Sequence, residues 1–535
     1  PNNISLTAGV TYDSMTDTPT PYLDGGNYAV LNPTQRIYGN NSTSDGNLKG
    51  TASSGDAVLM ATMAFPKSGK FYAECTVLAL SGSTNVEIRE IQAGGSSFGY
   101  TSSTGAITGT TAGATFTIND VIGVAFDYAA QTVAFYKNGS LQGTCTGVSQ
   151  SIDWAYSGYI ANTSTSVAWN FGQRPFAYTP PTGFKSLHTG NLPDSAIENG
   201  SEYFNAITYS GDNNASRETT GVGFQPDFVW VKNRSSASGH LLWDVVRGTD
   251  KNLRTDGTFD EAAVSGSANG IVSTSTSDGF SFKQISSLLN VNQSGQTYVA
   301  WNWKAGGAAV TNTAGSITSQ VSASPTAGFS VVTYTGTGSS GQVDSVGHGL
   351  GVAPKLYFIK QRNSSNQWYA FTSAIDGGWD YGLLNTTQAF ASTAQYADST
   401  RFYLSGGSTN TSGGTHVAYC FSEVPGYSSF GSYTGNGSAN GPFVNLGFRP
   451  AFVMVKRTDA ANDWYIHDTS MSVYNAAKEN LLANSSTSEG NAYNWLDIVS
   501  NGFKCRTADG GSNISGGTYI YMAFAENDFA NSLAR

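Results

Sequence analysis

Charge is what this sequence has least of. Only 12% of its 535 residues are Asp, Glu, Lys or Arg, against about 25% in ordinary soluble domains. Helices with ion-paired outer faces are therefore excluded, and the surface falls to Ser, Thr, Asn, Gly and aromatic side chains. The little charge present is acidic, with a formal net charge of -10 and a pI near 5.0. No basic field can neutralise phosphates, so nucleic acid is excluded as a partner. No apolar run approaches the roughly 18 residues of a membrane-crossing helix, so no membrane insertion is expected. The stretch Pro1-Asn2-Asn3-Ile4 has neither a basic nor an apolar leader character, and no secretion signal is expected. The cysteines Cys75, Cys145, Cys420 and Cys505 are far apart, without a CxxC pair. Cys420 and Cys505 sit in apolar strand patterns, which predicts buried free thiols rather than disulfides.

What the sequence does have is glycine, 63 residues of it, punctuating short runs rich in Val, Thr, Tyr, Phe and Trp. That combination predicts an all-β protein. One pattern is written three times. Each copy opens on Tyr209-Ser210-Gly211, Tyr334-Thr335-Gly336 or Tyr433-Thr434-Gly435, and passes a proline at Pro226, Pro354 or Pro450. Each then runs through an apolar stretch ending in Lys232, Lys360 or Lys456, and closes on Thr297–Trp303, Thr415–Phe421 or Thr518–Phe524. Tyrosine to proline spans 17, 20 and 17 residues. A period of roughly 100 residues exceeds the about 20 to 50 of solenoids, so each copy is expected to be a small independent core. The runs at 228–231, 356–359 and 452–455 predict strands buried on both faces, with Trp230, Phe358 and Met454 in the core. Near-helical spacing of Ala476, Ala477, Leu481 and Leu482 gives 473–484 the only helical flavour.

Ahead of the copies, Gly69–Val77, Asp120–Asp127 and Thr132–Gly139 read as an antiparallel meander, with Asn138-Gly139 as its tight turn. The string DVIGVAFDYAAQTVAFYKNGSLQG, preceded by SGKFYAE and followed by Asn170–Phe176, resembles the SPRY fold, a concanavalin-like jelly-roll β-sandwich, in the form carried by bacteriophage virion proteins. The three copies resemble the glycine-rich domains that follow SPRY-like modules in phage tail-fibre and adhesin-type proteins. The expected order is an extended lead-in at 1–45, the SPRY-like sandwich at 46–190, β-repeats at 191–308, 327–424 and 425–528, a linker at 309–326 and a tail at 529–535. The junction between the first two repeats is expected to be the looser hinge, and Glu423–Gly426 nearly rigid.

Catalytic patterns are thin. Asp244 with Asp250, or Asp376 with Asp380, could supply the two carboxylates of a glycan depolymerase, yet neither pair recurs in all copies. Asp244, Asp376 and Asp468 follow Trp243, Trp368 and Trp464, as expected of core tryptophans with turn-capping aspartates. No GxSxG string accompanies the scattered histidines, and His348 reads as a turn residue. His416 and Cys420 lack further zinc ligands, so no metal, cofactor or catalytic residue is expected. The neutral loops 405–414 and 508–517 suit saccharide hydroxyls, and their tips nominate Ser408, Asn410, Ser412, Asp509, Ser512 and Asn513 as ligand-binding residues.

The resemblance implies a virion structural protein: a tail fibre, spike or surface adhesin that binds host cell-surface glycans without cleaving them. A capsid-decorating or fibre-forming role, and third a depolymerase, are the alternatives. It implies a homo-oligomer, trimeric by analogy, contacts with other virion proteins, and a place on the virion surface after synthesis in the host cytoplasm.

Overall fold

The apolar runs and their Gly- and Asn-bearing turns become antiparallel ladders between neighbouring strands. The computed structural model describes residues 27–33, 40–54, 56–91, 96–150, 152–161, 164–192, 197–214, 217–248, 251–263, 273–282 and 291–526. The chain parts after Asp194 into two compact units.

In the first unit a seven-stranded sheet packs through buried side chains such as Val77, Val124, Phe126 and Phe135. A four-stranded sheet of Ala57–Met60, Trp154–Ile160, Thr84–Glu90 and Ser97–Thr101 supplies the other layer, with Val86, Ile88 and Tyr156 buried. The expected meander is present, and Val121–Asp127 pairs with Thr132–Lys137. Asn138 and Gly139 take φ of 49° and 80°, the two positive values that a two-residue hairpin turn needs. Of the expected lead-in, residues 1–26 and 34–39 lie outside the described residues. Asn40–Ser44, however, pairs with Lys49–Ser54 at the edge of the larger sheet, so the sandwich begins before residue 46. The tail at 529–535 also lies outside them.

The second unit holds the three copies, and their main sheets share one strand order. In the first copy it is Phe204–Ser210, Thr297–Trp303, Phe228–Asn233, Leu241–Asp244. The third copy repeats it with Ser428–Thr434, Thr518–Ala525, Pro450–Arg457 and Trp464–Asp468. The second extends it on both sides to eight strands. The expected linker is part of that extension: Val310–Asn312 is the edge strand of the second copy's sheet and Ser319–Ser324 the strand next to it. Their polar composition, read as a spacer, belongs to an exposed sheet edge. The helical reading of 473–484 is also corrected, since that stretch is turns followed by the two-residue strand Leu481–Leu482.

The expectation of three independent cores fails, for a reason visible in strand periodicity. Successive side chains of a strand face opposite ways. Val229 and Val231 turn to a core private to the first copy, as Tyr357 and Ile359 do in the second. Phe228, Trp230, Leu356, Phe358, Phe452 and Met454 turn the other way, into a single core common to all three copies. At its centre the equivalent side chains Trp303, Phe421 and Phe524 touch one another, with ring centroids 5.7, 6.0 and 6.4 Å apart.

Polar seams close the ring around this triangle. The Trp368 indole donates to the Arg254 carbonyl of the first copy at 2.7 Å, and Trp464 to the Leu383 carbonyl of the second at 3.0 Å. In the equivalent place of the first copy stands His240, whose Nε2 meets the Leu482 carbonyl of the third at 2.8 Å. The Trp230 indole donates to His240 Nδ1, which leaves Nε2 to carry the proton. Register corrects the sequence alignment here: Trp368 and Trp464 correspond to His240, not to Trp243. Each seam also has one backbone hydrogen bond of the same kind, from Glu261 to Arg362, Phe390 to Thr458 and Glu489 to Arg234. Glu261–Arg362 and Glu489–Arg234 are ion-paired as well. Beside the seams Lys232, Lys360 and Lys456 are fully buried, each donating to two carbonyls, and burial pulls each down to about 8.

Burial first, and the Lys232 charge second, pull His240 down to about 3. Its unfolded value is about 6.5, so below that pH the unfolded chain binds a proton that the folded chain refuses, and stability falls as pH falls. His240→Phe is expected to lower stability at pH 7, by about 1–3 kcal/mol for each buried group left without its partner. It is also expected to flatten the loss of stability between pH 6 and 4.5 by about 1.4 kcal/mol per pH unit. Urea unfolding across that range reads both, and an unchanged slope would show that His240 does not bear this acid sensitivity.

Candidate functional site

The loop tips separate on inspection into staples and surface. Asn410 is fully buried: its Oδ1 accepts the Thr337 N–H at 3.0 Å, and its Nδ2 donates to Ser339 O and Asp344 Oδ2 at 2.9 and 2.8 Å. Asn513 is its counterpart, accepting the Asn436 N–H and donating to Asn436 Oδ1, Ser438 O and Thr507 O. Asn292 does the same in the first copy, with Asp212 and Asn214. One residue earlier, the carbonyls of Val291, Thr409 and Ser512 accept the hydroxyls of Tyr209, Tyr334 and Tyr433.

The glycine of each Tyr-x-Gly opening follows from the same closure. A Cβ on Gly211, Gly336 or Gly435 would lie 2.1, 2.4 or 2.3 Å from the facing carbonyl oxygen. Asn410, Asn513 and the buried Ser512 are thus corrected from ligand-binding candidates to staples of the loop ends. The signal was present as a Tyr-x-Gly matched by an asparagine 74 to 81 residues after the glycine. Ser408 is half-buried, with its hydroxyl on Asn366 and its carbonyl facing His416. Ser412 is exposed and Asp509 half-buried.

Asp509 is the one nominated residue that joins an aromatic surface. Trp464–Asp468 carries Tyr465 on the outer side of the third copy, and Trp495 and Tyr493 come from the segment before Leu496–Val499. Tyr465 and Trp495 lie 4.7 Å apart between ring centroids, Tyr493 and Trp495 5.3 Å in an edge-on pair. Tyr493 is 49% exposed and Trp495 only 4%, so a buried indole backs an open phenol ring. Gly511 lets the 508–517 loop approach, since a Cβ there would be 2.6 Å from Tyr465 Cζ. Burial first, then the charges of Asp463 and Asp509, push the Tyr465 hydroxyl well above its ordinary value, so it stays a neutral donor. Asp463 is held by Asn484 at 2.7 Å, and Asp509 Oδ1 accepts the Gly511 N–H. The result is a shelf of ring faces flanked by two oriented carboxylates. The first copy has buried Leu241 where the second and third have Tyr369 and Tyr465.

The acid pairs fare differently. Asp244 is fully buried in a seam network, accepting from Arg247 and from the Tyr419 hydroxyl of the second copy, while Asp250 lies outside the described residues. Asp468 similarly accepts the Trp301 indole of the first copy at 2.8 Å. Both aspartates also cap turns, receiving N–H groups two and three residues on. Asp376 receives Gly378 N–H, and its charge, after burial, pushes Asp380 up. His348 is buried in its turn, facing the Asp398 carbonyl. All four cysteines are free and buried.

Against known proteins, the family described as Domain of unknown function (DUF7483) matches residues 199–528, and the SPRY domain matches residues 84–169. The latter bears out the SPRY fold read from the N-terminal strings. Among solved structures, the SPRY domain of human HERC1 is 18% identical, with a TM-score of 0.23, the match covering 26% of this chain and 96% of that one. A human SPRY domain is 14% identical with a TM-score of 0.21, covering 25% and 97%. Stonustoxin is 16% identical with a TM-score of 0.22, covering 27% of each chain. No curated protein matches.

Asn410→Ala and Asn513→Ala each leave at least one buried backbone group without its partner. Each is expected to cost about 1–3 kcal/mol of unfolding free energy while leaving ligand binding unchanged. Chemical denaturation alongside a binding assay checks both; a variant of full stability with impaired binding would return the asparagine to the list of contact residues.

Proposed function

The chain belongs to the family of the domain of unknown function DUF7483, here joined to a SPRY domain, and we propose that it is a non-catalytic recognition protein that binds surface saccharides. The observation that carries this reading is the shelf of Tyr465, Tyr493 and Trp495 beside Asp463 and Asp509. Sugar rings present apolar C–H faces that lie against exposed aromatic rings, and hydroxyl edges that donate to carboxylates. A neutral Tyr465 hydroxyl adds a donor without charge. The setting proposed is the one its sequence resembles, a bacteriophage tail fibre, spike or adhesin on the virion surface, engaging host glycans and other virion proteins as a homo-oligomer. A capsid-decorating role would need no such shelf. A depolymerase reading rests on Asp376 and Asp380, whose carboxyls interact.

The test is binding of the purified chain to bacterial surface polysaccharide. Tyr493→Ala removes an exposed ring and is expected to weaken binding by about tenfold or more, the scale of a central aromatic contact, with the denaturation midpoint unmoved. Retention of full affinity by Tyr493→Ala sinks the shelf as the binding site. Release of reducing sugar that disappears in Asp380→Asn would replace the recognition reading with the depolymerase.

A further inference from the structure

Within the SPRY-bearing unit, the outer face of the smaller sheet carries a buried polar group that the shelf does not use. Glu87, on Thr84–Glu90, is 1% exposed. Its Oε1 accepts from Arg89 Nε at 2.7 Å and from the Ser157 hydroxyl at 3.3 Å. Among the described residues its buried Oε2 has no hydrogen-bonded partner of ordinary length; burial first pushes the carboxyl above its ordinary value, and Arg89 and the Ser157 and Ser97 hydroxyls pull against that. A carboxylate oxygen left so costs about 1–3 kcal/mol or more, and native structures rarely leave one without a reason.

Beside that oxygen is a cavity of about 170 Å³. Apart from Glu87 its lining is neutral: Asn85, Ser97, Thr101 and Thr108 bring hydrogen-bonding groups, Ala106 and Ile107 an apolar side, and Gly99 the floor. Gly99 pairs directly with Glu87 across the sheet. A Cβ built on Gly99 would lie 3.4 Å from Glu87 Oε2 and 3.2 Å from its Cβ, so the absent side chain is part of what keeps this space open. The volume equals that of about five or six waters at ~30 Å³ each. It is well below the roughly 300–1,000 Å³ of sites for drug-sized ligands, and fits one sugar ring or one small amide.

Charge decides between ligand classes. Arg89 already compensates Glu87, with N and O at 2.7 Å and both side chains buried. A cationic ligand would add a second, uncompensated buried charge, whereas a neutral hydroxyl or amide donor would satisfy Oε2 and leave the pair balanced. We propose that this cavity is a binding site for a small neutral polyol, of single-monosaccharide size, anchored by a hydroxyl that donates to Glu87 Oε2. The site is separate from the aromatic shelf of the third copy and does not depend on it.

Saturation-transfer NMR of the full chain with free galactose and N-acetylglucosamine, and with methylguanidinium as the cationic arm, tests this. The sugars, or one of them, are expected to bind in the millimolar range. Gly99→Ala, which puts a methyl group against Oε2, is expected to weaken that binding at least tenfold. Asn85→Ala, which leaves the Glu87–Arg89 pair and the floor untouched, should weaken it several-fold, so the result does not hang on how well one variant folds. Tyr493→Ala should leave it unchanged, separating this site from the shelf. Binding of neither sugar, preferential binding of methylguanidinium, sugar signals insensitive to both cavity variants, or signals lost in Tyr493→Ala would each overturn the proposal.

Discussion

The contact of Trp303, Phe421 and Phe524 at 5.7 to 6.4 Å is the constraint on which the second unit rests. Each belongs to the strand that runs down the middle of its sheet, between two partners. Such a strand has two apolar faces, and a small second sheet covers only one of them. Left alone, a copy would expose Trp230, Trp301 and Trp303, or their equivalents, to water. Fully burying a large apolar side chain is worth about 1.5–3 kcal/mol, so three copies meeting face to face gain far more than any one could gain alone.

Closure then dictates the chemistry of the seams. An indole N–H taken from water needs an acceptor, and the backbone carbonyls of the neighbouring copy supply it to Trp368 and Trp464. Some of the chain's few charges are placed there. Glu261 bridges Arg247 and Arg362, Glu489 pairs with Arg234, and three buried lysines tie off carbonyl ends. A buried ion pair is a weak source of net stability but a strict one for geometry, because losing one member strands the other. The third seam replaces the pair with Phe390 and Thr458, so the three-fold plan is approximate, and the departures from it mark where the copies are free to differ.

Strand content was legible because it follows from local periodicity. The runs at 228–231, 356–359 and 452–455 are buried on both faces as their unbroken apolar character implied, and Asn138-Gly139 turns as its residues demand. What local pattern could not show is which copy lies on the far side of a strand, so each looked like a core of its own. Counting from tryptophan matched Trp243 with Trp368, when ladder register matches His240 with it. Asn410 and Asn513 looked like surface donors because loops are usually wet; apart from Thr507, their partners lie more than 60 residues away in sequence. The lysines read as the charged ends of strands, although closure buries all three. At the shelf, Asp509 was legible as a loop-tip candidate, while Tyr465, Tyr493 and Trp495 were not, since nothing sequential joins a strand residue to two others about 30 positions on.

On the proposed function, the same logic puts recognition away from the shared features. The asparagine staples and the buried lysines are held in common because a change in any one strands buried partners. An outward residue on the strand after the central one carries no such penalty. There the first copy has Leu241, the second Tyr369 and the third Tyr465, and only the third sets its ring against Trp495 with acids alongside. Three copies therefore do not imply three equal binding sites, and avidity from within one chain is not what the arrangement offers. The ring supplies rigidity, with loop ends pinned by asparagine and by tyrosine hydroxyls. A rigid support lowers the ordering cost of presenting an exposed ring such as Tyr493, which is the advantage the proposed recognition would draw from a scaffold poor in charge.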